Sequence, residues 1–391
     1  MARGTIRRIE RAAGIRYEAV VDLGSDPITG KRRQRSRTYR SKKEANVGMT
    51  RWLAEIDGGG AVDRSRATMA QHLRYWLETY ARPNLSAKTL EMYEHIIERH
   101  IIPDLGAIPL QKLTPDQVQS FYAKKQADGC GARTIQLCHL RLSQSLKQAM
   151  MMGLVPRNVA DFVKAPRAPA REMQTWTADE ARAYLEVAAD SHFGPVWLVS
   201  LATGMRRGEL LGLRWQDVDC ERRILSVRKT IGVVKGKLEI KKPKTPRSIR
   251  DIAVQPAVVE ALRAHRLAQN ERRLALGAAW EDFGLVFCAS NGRPIHPENL
   301  SREHKRFVKL ASVPLIRIHD QRHTHVTLAI AAGADVGAVS RRVGHVRTSI
   351  TTDIYQHIMP EQHLDVADRI DAVLLSPRPK KPLKSDFLGQ A

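Results

Sequence analysis

Hydrophobic residues near the N-terminus recur with a period of two, which is the spacing of a strand that buries one face. From Ile15 to Val21 every second residue is apolar or aromatic. A turn at residues 26–30, Asp-Pro-Ile-Thr-Gly, leads into a basic strand at 31–39, and a helix follows at about 42–56. The pattern predicts a three-stranded sheet carried on one helix.

Between about residues 68 and 161 the apolar spacing becomes helical. Apolar residues recur along one helix face from Leu90 to Ile101, after Ser86, which we expect to cap that helix. Thr114 is followed directly by proline and, three positions on, by glutamine, which is the signature of a capping box with proline at the first helical position. These signals predict four or five helices.

A basic, proline-rich stretch at 164–171 is predicted to be a linker, and the pattern beyond it is mixed. Helices are expected from Thr177, from about Pro195, from Glu209 and again from Pro256, and strands are expected at 222–254. The chain is therefore expected to be multidomain: a small α+β domain at 1–57, an all-α domain at 64–163, a mainly α domain with a small antiparallel sheet at 173–375, and a disordered basic tail at 376–391.

The composition of the chain indicates which class of partner it binds. The 391 residues carry a formal net charge of +23 and are 43% hydrophobic, so the chain can bury several cores while presenting a strongly basic surface. Such a surface favours nucleic acid as the partner. The four cysteines have no CxxC spacing, which argues against zinc fingers and disulfide frameworks. No long apolar run or signal-peptide pattern is found, so we expect a cytoplasmic protein without a membrane partner.

Candidate chemistry begins at residues 202–215, where glycines flank a helix start that carries Arg206 and Arg207. Glycines permit close backbone approach, and the amides of a helix start favour an anion. Glu209, three residues after Arg206, can orient that guanidinium through a two-point contact. A surface helix with exposed arginines is an equally good interpretation of this segment alone.

A second candidate segment contains His319 and Arg322, which are spaced to share one helix face and reach the same phosphate. His319 and His323 also have the i, i+4 spacing that can hold a metal ion. No HExxH pattern or acidic ligand cluster accompanies them, so we expect no metal.

A third segment contains His345 and, ten residues later, Tyr355 beside a stripe of isoleucines. Alone, such a tyrosine is usually a packing residue. A phosphodiester in its transition state, however, spreads negative charge over its oxygens, and fixed Arg, Lys and His donors can neutralise it without a metal. The candidate set is Arg206, Lys244, His319, Arg322, His345 and Tyr355.

Three motifs, TGMRRGELLGLRW, HDQRHTHVTL and GH followed by TTDIYQH, resemble in order and spacing those of the tyrosine recombinases of the phage-integrase type. The order of domains is similar too, with an arm-type DNA-binding domain at 1–57, a core-binding domain at 64–163 and a catalytic domain at 173–375. Gln321 stands where the family often has leucine.

The resemblance implies that Tyr355 attacks the scissile phosphate, leaving a 3′-phosphotyrosine and a free 5′-hydroxyl. The other implied roles are phosphate clamping by Arg206 and Arg322, hydrogen-bond donation by His319 and His345, and protonation of the leaving oxygen by Lys244 on a mobile hairpin. Lys241 and Lys242 are alternatives to Lys244. No cofactor is expected, because the phosphotyrosine conserves the bond energy and no Walker motif is present.

The expected partner is double-stranded DNA, bound at core and arm attachment sites by a homotetramer, with a host DNA-bending protein and an excision factor taking part. The residues expected to grip arm DNA are Lys31, Arg32, Arg33, Arg35 and Arg37. Integration or excision of a prophage or an integrative conjugative element is the favoured activity. A chromosome-dimer resolvase and a non-catalytic DNA-binding regulator are the alternatives. A helix at 361–375 is expected to pack on a neighbouring protomer or to fold back in cis.

Overall fold

The computed structural model describes residues 3–11, 14–57, 66–169, 173–243 and 248–344. Its contacts divide the chain into two compact units, Met1–Arg171 and Glu172–Ala391. Several predictions lie outside the described residues: Lys244, His345, Tyr355, the helix at 361–375 and the tail at 376–391.

The first unit begins with an antiparallel sheet of order β1-β2-β3, followed by a helix that packs on it. These elements are β1 (Arg3–Arg11), β2 (Gly14–Ser25), β3 (Arg32–Tyr39) and α1 (Lys42–Asp57). Ala19 and Val21 of β2 are buried against Met49 and Trp52 of α1, which confirms the alternation and the three strands on one helix. Ile15, at the start of β2, is instead 46% exposed.

The rest of the first unit is helical around its own apolar core. The helices are α2 (Met69–Trp76), α3 (Ala87–Ile96), α4 (Ile102–Leu105), α5 (Pro115–Ala127) and α6 (Ala132–Met151). The Thr114 capping box is confirmed, because its hydroxyl accepts from the Gln117 amide at 3.3 Å. Ser86 precedes α3 as predicted, but its hydroxyl pairs with Thr89 Oγ1 at 2.9 Å and caps no backbone amide.

The second unit is mainly helical with a small amount of sheet. Its helices are α7 (Ala178–Ala188), α8 (Gly194–Thr203), α9 (Arg207–Leu211), α10 (Pro256–Leu276), α11 (Pro297–Leu310), α12 (Ile318–Ala331) and α13 (Val336–Val343). Its strands are β4 (Val218–Asp219), β5 (Ile224–Val227), β6 (Thr230–Val234), β7 (Lys237–Lys241) and β8 (Arg250–Ala253). Strands β4, β5 and β8 form one antiparallel sheet, and β6 pairs with β7 as a hairpin.

Of two helix starts predicted in this unit, one is confirmed and one lies at a different residue. The Thr177–Glu180 cap of α7 is confirmed by reciprocal bonds of 2.8 and 3.2 Å. The short helix α9 begins at Arg207, two residues before the predicted start, because Glu209 reaches back to accept from the Arg206 amide at 3.0 Å. In the part of the chain described by the structure, no helix combines the length and apolarity needed to cross a bilayer.

Candidate active site

Gly204 makes the turn that brings α8 to the first candidate arginine. Its φ of +63° places it in the left-handed region that favours glycine. A Cβ atom there would lie 2.8 Å from Cδ2 of His325 and 3.0 Å from Cγ1 of Val343. Glycine is therefore required both by the backbone conformation and by the space that α12 and α13 leave.

Arg206 follows this turn and is held on two sides. Its Nη1 donates to Glu209 Oε1 at 2.9 Å, and its Nη2 donates to the Gly344 carbonyl oxygen at 3.3 Å. The side chain is 36% exposed. An anion can therefore reach a guanidinium whose orientation is already set.

Glu209 is a buried residue, 3% exposed, whose carboxylate pairs with two arginines. Its Oε2 accepts from Nη2 of Arg250 at 3.0 Å, while Oε1 accepts from Arg206. Burial alone would raise the pKa of Glu209, but the charges and hydrogen bonds of Arg250 and Arg206 hold it below the ordinary glutamate value. The carboxylate is therefore ionised at neutral pH and can pair with both guanidinium groups.

Arg322 lies on α12 and, like Arg206, bonds the end of α13. Its Nη1 donates to the Gly204 carbonyl oxygen at 2.7 Å, and its Nη2 donates to the Val343 carbonyl oxygen at 2.5 Å. The residue is only 1% exposed. Burial, followed by repulsion from Arg206, lowers the pKa of Arg322 to about 9, so it keeps its charge at neutral pH.

His319 precedes Arg322 by one turn of α12, as its spacing predicted, and part of its side chain is exposed to solvent. Partial burial of the imidazole, followed by the Arg322 charge, lowers the pKa of His319. A neutral imidazole still has one N–H to donate. Its ring meets His323 edge-on at 5.1 Å between centroids, and burial lowers the pKa of His323 to about 4. Among the described residues, no group of three or more metal-ligating side chains gathers.

Gln321, the departure from leucine, is fully buried in a polar network. Its Oε1 accepts from the Ser200 hydroxyl at 2.7 Å, and its Nε2 lies 3.4 Å from Nδ1 of His304. His304 also accepts from the Tyr184 hydroxyl at 3.0 Å and donates to the Ile316 carbonyl at 2.8 Å. The amide therefore joins α12 to α8 and α11 without reaching the candidate arginines.

The C-terminal end of α13 is where the cationic residues meet. Three consecutive carbonyl oxygens accept from three different arginines: Arg342 from Arg250 at 2.7 Å, Val343 from Arg322 at 2.5 Å and Gly344 from Arg206 at 3.3 Å. The last carbonyls of a helix have no partner within the helix and carry partial negative charge, so guanidinium groups satisfy them well.

Sequence reasoning found Arg206, Arg322, His319 and Glu209, which the structure brings together, but it missed Arg250. A signal for Arg250 does exist in the strand pattern. It lies two residues before the buried Ile252 of β8, hence on the core-facing side of a strand. An arginine at such a position needs several acceptors and marks a site that supplies them.

The predicted arm-binding residues do not form one surface. Arg35 and Arg37 pair with Val21 and Ala19 across the ladder, so they share the sheet face that α1 covers. The Arg37 guanidinium stacks over the Trp52 ring at 4.4 Å. Arg33, two residues before Arg35 in β3, lies on the same face and donates to the Leu23 carbonyl oxygen at 3.2 Å. Arg32 lies on the opposite face and pairs with the Asp22 carboxylate, and Lys31 lies in the turn before β3.

Comparison with protein families identifies the chain. Residues 175–362 match the phage integrase family, and residues 68–126 match the N-terminal SAM-like domain of phage integrases. This chain belongs to the phage integrase family. The prediction from the three motifs is thereby confirmed.

Relatives along nearly the whole length support the same assignment. A tyrosine recombinase XerC-like protein of Caldanaerobacter subterraneus subsp. tengcongensis is 28% identical over 378 residues, which is 92% of this integrase and 96% of the relative. The ICEBs1 integrase of Bacillus subtilis is 26% identical over 375 residues, covering 95% of this chain and all (100%) of the relative. This integrase is thus a tyrosine recombinase, an enzyme of site-specific recombination in the integration of mobile elements.

Solved structures agree in fold. The Tn1549 transposon integrase, in complex with a circular intermediate DNA, superposes with a TM-score of 0.66 at 19% identity, over 78% of this chain and 99% of that one. A lambda integrase tetramer bound to a Holliday junction gives a TM-score of 0.56 at 18% identity, over 89% and 94%. The predicted fold, with an N-terminal sheet, a helical body and a small sheet in the second unit, is confirmed.

Proposed function

We propose that Tyr355 is the nucleophile of this integrase and that Arg206, Arg322 and His319 bind the phosphate it attacks. The supporting observation is that Arg206 and Arg322 both bond the end of α13, one residue before His345, and that His319 lies close enough to feel both charges. Two guanidinium groups remain charged through the reaction and can stabilise the negative oxygens of the transition state. His345 adds a further donor, and Lys244, with Lys241 and Lys242 as alternatives, protonates the leaving 5′-oxygen.

No metal or ATP takes part in this scheme. Tyrosine has an ordinary pKa of about 10, so positive groups near the phosphate must favour its ionised form during attack. The 3′-phosphotyrosine linkage then conserves the energy of the broken phosphodiester bond. The 5′-hydroxyl of another strand can attack this linkage, which releases the tyrosine and rejoins the DNA. Repeated on partner strands within a tetramer, the exchange integrates or excises a mobile element, such as a prophage or an integrative conjugative element.

We also propose a division of DNA binding. The domain at 1–57 binds arm sites, and the domains at 64–163 and 173–375 bind the core site. Contacts to arm DNA come from basic residues of this domain, namely Lys31, Arg32, Arg33, Arg35 and Arg37. A host DNA-bending protein and an excision factor complete the assembly, which acts at the nucleoid in the bacterial cytoplasm because its substrate is there.

Covalent capture tests the proposed chemistry. The protein is incubated in EDTA with sheared DNA of its source genome, denatured, and the protein-linked fragments are isolated and sequenced. We expect adducts at one discrete site, which Tyr355→Phe abolishes while it retains DNA binding. Tyr80→Phe, a matched loss of a hydroxyl in the first unit, should leave the adducts in place. Adducts that persist in Tyr355→Phe, or that form only with Mg²⁺, would refute the proposal.

A further inference from the structure

Arg250 is a buried arginine, outside the six predicted catalytic residues, whose guanidinium is fully engaged. Its side chain is 7% exposed. Nε donates to the Arg342 carbonyl at 2.7 Å, Nη1 to the Ser248 carbonyl at 3.1 Å and Nη2 to Glu209 Oε2 at 3.0 Å. A buried charge is costly unless it is paired and hydrogen-bonded, and here each nitrogen atom has an acceptor.

These contacts tie three segments of the second unit together. Arg250 begins β8, Glu209 lies in α9, and the Arg342 carbonyl belongs to the last turn of α13. Glu209 has two oxygens, and Arg250 occupies Oε2 while Arg206 Nη1 occupies Oε1. With both oxygens engaged, the carboxylate cannot rotate without breaking a charge-assisted bond.

We propose that Arg250 is a positioning residue for strand cleavage: through Glu209 it fixes the Arg206 guanidinium, and through the Arg342 carbonyl it fixes the end of α13. The inference rests on the proposed role of Arg206 at the phosphate. Arg250 is not proposed to contact DNA, because each of its nitrogen atoms already has a protein acceptor and one of these is the charged Glu209 carboxylate. Since a misplaced clamp costs transition-state stabilisation, the effect of losing Arg250 appears in the rate of cleavage.

The test is single-turnover cleavage of the core duplex identified by covalent capture, with saturating protein and adduct formation as the readout. Arg250→Met removes the charge, and Arg250→Lys keeps it but cannot span two acceptors in a fork. We expect Arg250→Met to slow adduct formation about 10- to 100-fold, with partial recovery in Arg250→Lys. Arg228→Met is the matched control, because Arg228 pairs with the neighbouring Asp251 at 2.7 Å on the exposed side of the sheet. It should change the rate by less than about threefold.

A double-mutant cycle separates positioning from general stability. If Arg250 acts through Arg206, then Arg250→Met should add less than about threefold to the loss caused by Arg206→Ala. Multiplication of the two losses, or equal rates for Arg250→Met and Arg228→Met, would overturn the proposal. Should Arg250→Met fail to fold, as judged by urea unfolding, the same cycle is run with Arg250→Lys. A wild-type rate in Arg206→Ala would refute the role of Arg206 itself, which is a different outcome.

Discussion

Replacing Gly204 with alanine should destabilise the second unit far more than the same change at Gly284. The two glycines have nearly the same φ, +63° and +64°. An added Cβ at Gly204 would meet His325 at 2.8 Å and Val343 at 3.0 Å, whereas at Gly284 no described atom lies within 4 Å. The pair therefore separates the cost of left-handed backbone from the cost of crowding.

The magnitude follows from these two costs. A left-handed conformation costs a non-glycine residue about 1–2 kcal/mol, and this applies at both positions. Overpacking a closed core costs about 1–3 kcal/mol more. That cost applies only at Gly204, because His325 and Val343 are 8% and 0% exposed and the His325 ring is bonded to the Leu201 carbonyl at 2.8 Å. We expect losses of about 2–5 kcal/mol for Gly204→Ala and about 1–2 kcal/mol for Gly284→Ala.

Urea unfolding followed by tryptophan fluorescence measures the difference. The chain has 6 tryptophans, and most of them report on the second unit: Trp176, Trp197, Trp215 and Trp280. The shift in midpoint, multiplied by the slope of the transition, gives each loss in the free energy of unfolding. Equal losses at the two glycines would refute the packing argument. Because the Gly204 carbonyl accepts from Arg322 at 2.7 Å, Gly204→Ala should also slow adduct formation under conditions where it remains folded.

Two further predictions concern pH and the N-terminal sheet. Burial lowers the pKa of His325 to about 4, against about 6.5 in an unfolded chain, so its contribution to stability is complete above pH 6.5 and is lost as the pH falls towards 4. Lowering the pH from 7.5 to 5 should reduce the free energy of unfolding of the wild-type protein by on the order of 1–2 kcal/mol through His325. His325→Gln should lack this part of the loss, and a variant with the same pH dependence in urea unfolding as the wild type would contradict the prediction. Deleting residues 1–57 should weaken binding to arm DNA but spare binding and cleavage of a short core duplex, as measured by gel shift and adduct formation; equal losses for both DNAs would contradict the division of domains.

Local signals in the sequence predicted most of the elements. The alternation in β2 and the Thr114 and Thr177 caps depend on residues a few positions apart, which is the range over which strand pleats and helix ends are determined. Two of the three motifs contain Arg206, His319 and Arg322, and the resemblance grouped these residues in one site, where the structure also brings them together.

Features that depend on distant pairing escaped prediction. The basic run at 31–37 was expected to grip arm DNA, but its division between two sheet faces, with Arg35 and Arg37 on the helix side, follows only from the register with β2. Arg250 joins α9 to α13 through Glu209, which is 41 residues away in the chain, and Arg342, which is 92 residues away. Neither the register nor these contacts follow from periodicity, which specifies a face but not the element that covers it.

The acceptors around Arg206 and Arg322 differ in charge, and in the mechanism proposed above this difference determines how a phosphate enters. Arg322 and Arg206 are held to α13 by neutral carbonyls, whereas Arg206 is also held by the Glu209 carboxylate. A phosphate oxygen forms a charge-assisted bond, roughly twice as strong as a bond to a neutral carbonyl, so it can replace the α13 carbonyls but competes poorly with Glu209. Arg322, being 1% exposed, must make such an exchange to touch DNA. Under this proposal, Glu209 and its partner Arg250 still orient Arg206 during cleavage after the carbonyl contacts are given up.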